Sequence, residues 1–318
     1  MRHLAKFVLI AVLLAAVGGL PAQESAQTSL RRTIPITVLD RQGKPVGGLA
    51  TQNLRGEFNG QPVRIVSVKW DARPRRIVVL LDASDSMLWS EKWTLARNGV
   101  EDIMLHARPQ DQIAVLLFAD RIVDRIEFGP TGAAGLARLN VLPGELGEIK
   151  KKPTRTALLD SLNEALRLLD PAHLGDLVYV ISDGGDNVSK TTPDQITNAF
   201  ACAGVRSFFL LLLDPDRAGR GSEYGRAPYL VGDIAEKTGG NAASPFFGDR
   251  EIVGAAARSL YGQMVEFYSV DIELPGPISK RRPWSLKVVD EQGKRIQKIE
   301  LTYPRQLVPC PVEPSAQR

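Results

Sequence analysis

Asp82, Ser84 and Ser86 stand at alternate positions where an apolar run, VVLL, gives way to DASDSM. Three oxygen-bearing side chains at i, i+2 and i+4, at the end of a buried strand, have two uses. One is to cap the helix that follows, a contribution of about 1 kcal/mol. The other is to hold something hard and positive, if further oxygens arrive from elsewhere. Two segments carry them. PTRTALLD places Thr154 and Thr156 just ahead of a helical pattern, and VISDGGDN places Asp183 directly after an apolar run. Taken singly, Thr156 reads as a helix cap and SDGGDN as turn composition. Taken together they offer two carboxylates, Asp82 and Asp183, and at least three hydroxyls, with no His or Cys in the set. Oxygen-only donors select Mg²⁺ or Ca²⁺, with Mn²⁺ also accommodated. Two carboxylates leave much of such an ion's field uncompensated, so the site would recruit a further carboxylate from a partner. Asp85, Asp186 and Asn187 are expected to make loop hydrogen bonds.

The elements that must position these residues follow from the hydrophobic pattern. RRIVVLL, QIAVLLFA, DLVYVIS and VRSFFLLLLD are apolar without period-two alternation, the mark of strands covered on both faces. Helical patterns at 87–107, 156–169, 193–203, 229–238 and 249–267 alternate with them, and a short strand is expected near 241–244. Strand–helix alternation predicts an α/β domain: a doubly wound, mostly parallel, Rossmann-like sheet flanked by helices, over 75–262. In such sheets ligands bind at the carboxyl ends of the strands. Asp82 and Asp183 both fall there, and Thr156 lies in a loop that should reach the same edge.

The D-x-S-x-S pattern at 82–86, followed by Thr156 in RTALLDSL and Asp183 in SDGGDN, resembles the metal-ion-dependent adhesion site of von Willebrand factor A domains. The resemblance covers 75–262. It implies that Asp82, Ser84, Ser86, Thr156 and Asp183 are the metal residues, with Thr154 a rival to Thr156. It also implies a Mg²⁺-dependent binding protein whose partner, a protein or peptide, supplies an acidic residue; no enzymatic activity follows from it. The flanking segments VLDRQGKPVGGL and NGQPVRIVSV look like those of secreted von Willebrand factor A-related proteins of Acidobacteria. ATQNLRGEF stands where such proteins often carry an Asp-Phe pair.

The chief alternative is a Mg²⁺-dependent phosphatase-like hydrolase with Asp82 as nucleophile. It needs an acid two residues on to protonate the leaving group, and position 84 is a serine. A serine hydrolase is disfavoured: no G-x-S-x-G occurs, and outside the first residues only His106 and His173 are present. Trp89 and Trp93, four apart, share a helix face and read as core. The polar stretch 214–227 reads as a solvated loop.

The flanks of the α/β segment are β-rich. The segments 31–72 and 265–307 contain an echo, ITVLDRQGKPV against LKVVDEQGKRI, in which each copy should form a strand, a D-x-Q-G turn and a return. The two segments are expected to meet as one sandwich-like β module with the α/β domain inserted; 308–318 reads as a tail. At the start, Arg2, His3 and Lys6 precede the apolar run 7–17 and a small-residue stretch ending near Ala22, the pattern of a secretory signal peptide at 1–22. The apolar run is short for a membrane span. The reading is therefore an exported protein, periplasmic or secreted, anchored only if the leader is retained. Removing the leader lowers the formal net charge from +4 to +2. The basic residues cluster in short joints, RPRR at 73–76 and SKRR at 279–282, which read as solvated linkers and argue against nucleic-acid binding. Cys202 and Cys310 are the only cysteines. Cys202 reads as a buried thiol in a helix, and an oxidising compartment would permit one bridge between the two.

Overall fold

Four runs of aliphatic residues dictate the centre of the molecule, because each can be buried only between two layers of helix. The computed structural model describes residues 30–88, 91–139, 155–213, 223–245 and 249–310. The leader, Trp89, Thr154 and most of the tail lie outside them. Strands β1 (Arg31–Leu39), β2 (Leu54–Phe58) and β3 (Gln61–Asp71) precede β4 (Arg76–Asp82). Then come α1 (Asp85–Leu88), α2 (Lys92–His106), β5 (Gln112–Phe118), β6 (Ile122–Gly129), α3 (Gly132–Leu139) and α4 (Leu158–Leu168). Next are β7 (Leu177–Ser182), α5 (Pro193–Ala203), β8 (Arg206–Leu211), α6 (Glu223–Thr238), β9 (Ala242–Ala243) and α7 (Arg250–Val265). The C-terminal strands are β10 (Phe267–Glu273), β11 (Arg282–Val288), β12 (Glu300–Thr302) and β13 (Gln306–Leu307).

The first sheet has the order β6-β5-β4-β7-β8-β9, parallel except for β6, which runs antiparallel to β5. Val79, Leu81 and Ile181 face a layer formed by α2, α3 and α7; Val78, Leu80 and Val180 face α4, α5 and α6. Burying each such side chain stabilises the fold by roughly 1.5–3 kcal/mol. The strand order reverses between β4 and β7, and in a doubly wound sheet the crevice lies at that reversal. The helix expected at 87–107 is two helices, α1 and α2. α6 begins six residues before the expected Tyr229, and Pro228 lies inside it.

The two β segments do join, as one curled antiparallel sheet of order β12-β1-β10-β3-β2-β11-β13. Its core contains Ile36, Val38, Phe58, Val270, Trp284 and Leu286. The sequence echo becomes two matching turns. Asp40 Oδ1 accepts from the backbone N–H of Gln42 and Lys44 at 2.8 and 2.9 Å, and Asp290 Oδ1 from Gln292 and Lys294 at 3.1 and 2.8 Å. Gly43 and Gly293 take the left-handed conformation that each turn requires, at φ 75° and 78°.

The RPRR joint is not a solvated linker. Arg75 is buried, pairs with Asp71 at 2.9 Å, and stacks 4.2 Å from the centre of the Phe267 ring. Arg206, equally buried, stacks on the same ring at 4.2 Å and donates to the Gln263 carbonyl at 3.2 Å and to that of Met264. Arg76 is paired with Asp176, and Arg281 with Asp194 at 2.5 Å. For Arg76 and Arg281 the acidic partners lie 100 and 87 residues away, beyond the reach of short-range pattern, and Arg206 is held by distant carbonyls and a ring. Cys202 of α5 is not a free thiol: it is disulfide-bonded to Cys310, 108 residues on, tying the C-terminal segment to the helical layer.

Candidate metal centre

Asp82 is the last residue of β4, and Asp183 follows the last residue of the adjacent parallel strand β7. Both lie at the strand-order reversal, on the carboxyl edge, with side chains 0% and 1% exposed. Oδ1 of Asp82 accepts the Ser84 N–H at 2.8 Å, and Oδ2 accepts the Ser182 hydroxyl at 2.5 Å. Ser182 Oγ in turn accepts the Gly184 N–H at 2.9 Å. Gly184 sits at φ 80°, which lets the chain turn away directly after Asp183. Ser84 Oγ and Ser86 Oγ lie 3.2 Å apart, so alternate residues of DASDS do converge. The backbone carbonyl of Ser84 takes the Met87 N–H at 2.9 Å as α1 begins.

Thr156 reaches the edge through its backbone. Its N–H donates to Asn187 Oδ1 at 3.1 Å, and its carbonyl accepts from Asn187 N–H at 3.0 Å, which zips its loop to the one carrying Asp183. Its side chain is buried. Asp186 Oδ2 accepts the Leu159 N–H at 3.0 Å at the start of α4. Asp186 and Asn187 thus serve as loop hydrogen-bond partners, as the sequence led us to expect. Trp93 packs against the α2 side of the core.

Two features escaped sequence reasoning. Ser182 immobilises Asp82, a role that its position before Asp183 does not reveal. Lys92 is 1% exposed, and its Nζ donates to Asp183 Oδ2 at 3.0 Å. A signal for it existed: Lys92 begins the buried stripe Leu95, Ala96, Gly99, Val100 and Ile103 of α2, where a charge is out of place.

Burial, and secondarily the charge of Asp183, push the Asp82 carboxyl up to about 7. Among the described residues, with both acids ionised, two carboxylates lie buried beside the Lys92 ammonium and outnumber it by one charge. Among the described residues no three His, Cys, Asp or Glu side chains gather as a metal cluster, so an ion here would depend on hydroxyls as well as carboxylates. Asp82, Asp183, Ser84 and Ser86 form a set of oxygen donors suited to Mg²⁺, Mn²⁺ or Ca²⁺, and their uncompensated negative charge favours a cation.

Residues 77–185 match the family model of the von Willebrand factor type A domain. That segment, which contains all five candidate ligands, is a domain of this family. Such domains are generally interaction modules that mediate protein–protein binding, and they commonly bind divalent metals. No curated protein matches the chain in sequence. Among solved structures, a von Willebrand factor type A protein from Catenulispora acidiphila is 12% identical, covering 89% of this chain and 75% of its own, at a TM-score of 0.45. The ArnB paralog VWA2 from Sulfolobus acidocaldarius is 14% identical, covering 87% and 76%, at 0.42. Manganese-loaded TRAP protein from Plasmodium vivax is 15% identical, covering 77% and 98%, at 0.41. Among the described residues no helix is long and apolar enough to cross a membrane.

Proposed function

We propose that this chain is an exported, non-enzymatic binding protein. Asp82, Ser84, Ser86, Thr156 and Asp183 hold a divalent cation, Mg²⁺ in the first instance, and the cation engages an acidic side chain of a partner protein. The observation that carries the reading is the pair of buried carboxylates at the strand-order reversal, one of them pushed up to about 7, with two serine hydroxyls converging beside them. The bound ion would supply electrostatic attraction for a carboxylate. The residues of this chain orient the donors: Ser182 and the Ser84 N–H fix Asp82, and the Asn187 contacts fix the Thr156 loop. Export is supported by the leader pattern at 1–22 and by the disulfide, which suits an oxidising compartment.

A ligand that binds only the folded state raises its stability. Wild type should therefore unfold at a higher temperature in millimolar Mg²⁺ or Mn²⁺ than in EDTA, and Asp82→Ala should not respond. An acidic peptide column should retain wild type only with metal. Equal midpoints with and without metal in the wild type would remove the basis of the reading. Mass measurement of the exported protein tests cleavage near Ala22.

A further inference from the structure

Lys92 is hard to explain as a helix residue. It opens α2, after Glu91 at the cap position, where the positive end of the helix dipole disfavours an ammonium. It is also fully buried, which costs a charge most of its hydration. It donates to the Asp183 carboxylate at 3.0 Å, one of the two acids of the candidate metal centre. The charge count then becomes decisive. Asp82 and Asp183 together carry two negative charges, and Ser84, Ser86 and Thr156 carry none. A divalent ion balances the two acids, whereas a divalent ion plus the ammonium exceeds their charge. One cation therefore weakens the hold of the other.

We infer that the Lys92 ammonium is a tethered counter-cation that competes with the divalent ion for Asp183, and so sets the metal affinity of the site. The inference rests on the metal-dependent reading above and adds the residue that tunes it. The four-carbon stem of a lysine lets its head group withdraw while the helix stays in place. Metal uptake is then an exchange: Lys92 leaves Asp183, and the ion takes the carboxylate. In the absence of ion the lysine keeps Asp183 paired, so the fold does not depend on metal for its integrity.

The test compares the full chain as wild type, Lys92→Met, Lys92→Arg and Asp82→Ala, with Mn²⁺ as the probe read by electron paramagnetic resonance. Lys92→Met should bind Mn²⁺ at least tenfold more tightly than wild type, while Lys92→Arg, which keeps the charge, should not gain. Its unfolding midpoint should fall below wild type in EDTA and exceed it in saturating Mn²⁺. Equal Mn²⁺ affinity in wild type and Lys92→Met, with loss in Asp82→Ala, would overturn the competition and leave the metal reading standing. No Mn²⁺ binding by any form would overturn both. If Lys92→Met does not fold, amine acetylation of wild type read by mass spectrometry decides the matter. Lys92 should be protected in EDTA and modified in saturating Mn²⁺; equal modification would overturn the proposal.

Discussion

Replacing Asp82 by Asn should stabilise the protein at neutral pH in a chelator, contrary to the usual outcome for a fully buried hydrogen-bonded residue. The Asp82 carboxyl ordinarily titrates near 3.8, and burial, with the Asp183 charge added, moves it to about 7. A folded-state value above the unfolded one means that the folded protein keeps this proton longer. The associated stability is complete below about pH 4 and is lost as pH rises through 7. Three pH units at about 1.4 kcal/mol each set an upper bound of about 4 kcal/mol, and relaxation around the charged pair reduces the realised effect to about 2 kcal/mol. Asn stays neutral throughout. Its Oδ1 can still accept the Ser84 N–H, and its amide can donate to Ser182 Oγ, where Asp82 now accepts. Urea unfolding in EDTA at pH 4.5, 6 and 8 is the assay. The wild type should lose stability across that range relative to Asp82→Asn, so that the variant leads by about 2 kcal/mol at pH 8. Mg²⁺ should restore the wild type and leave the variant unchanged. A difference between the two proteins that stays constant from pH 4.5 to 8 would refute the argument that the Asp82 charge is costly in this position.

Gly184→Ala should destabilise by about 1–3 kcal/mol in urea unfolding, because φ 80° is unfavourable for alanine and its Cβ would lie 2.9 Å from that of Ala227. The metal response should weaken with it, since the turn positions Asp183. Reducing the Cys202–Cys310 bridge should lower stability by about 2–4 kcal/mol, measured as unfolding with and without reductant; an unchanged midpoint would show that the C-terminal segment adds nothing. Burial pushes the Asp71 carboxyl up, but hydrogen bonds and charge from Arg73 and Arg75 outweigh this and hold it at about 2. The stability so gained is present above pH 4 and is lost as pH falls toward 2. Asp71→Asn should lack about 1–2 kcal/mol of that acid loss in unfolding curves between pH 5 and 2.

The sheet was legible because its signal is local and strong. Runs such as VVLL and VYVIS can be neither exposed nor amphipathic, so the strands, their two-sided cover and the edge where Asp82 and Asp183 fall follow from composition alone. The Asp40 and Asp290 turns were legible for a similar reason, since the chemistry of D-x-Q-G is contained in five residues. What escaped were partners distant in sequence. Arg75, which reads as part of a solvated joint, is stacked instead on Phe267, a ring far along the chain that Arg206 shares. Lys92 gained its meaning from Asp183, 91 residues away, although its place on the buried stripe of α2 was visible. The sequence also indicated where Thr156 would arrive but not how, because the Asn187 contacts belong to another loop.

The ionic joint and the candidate metal centre occupy opposite ends of the same strands, and this arrangement has a functional consequence. Arg75 and Arg206 lie at the amino ends of β4 and β8, Asp111 precedes β5, and Asp176 precedes β7. There Arg75 and Arg206 meet Phe267 and the end of α7, and Arg206 also meets Thr37 of the antiparallel sheet. Asp82 and Asp183 lie at the carboxyl ends, a strand of seven residues away, roughly 20 Å at about 3.3 Å per residue. The end that anchors the second sheet is therefore held by buried ion pairs and ring stacking, which need no solvent. The opposite end keeps its hydroxyls and carboxylates clear of that sheet. If the proposed metal site lies at the carboxyl edge, changes at the joint should alter stability in urea unfolding while leaving Mn²⁺ affinity intact.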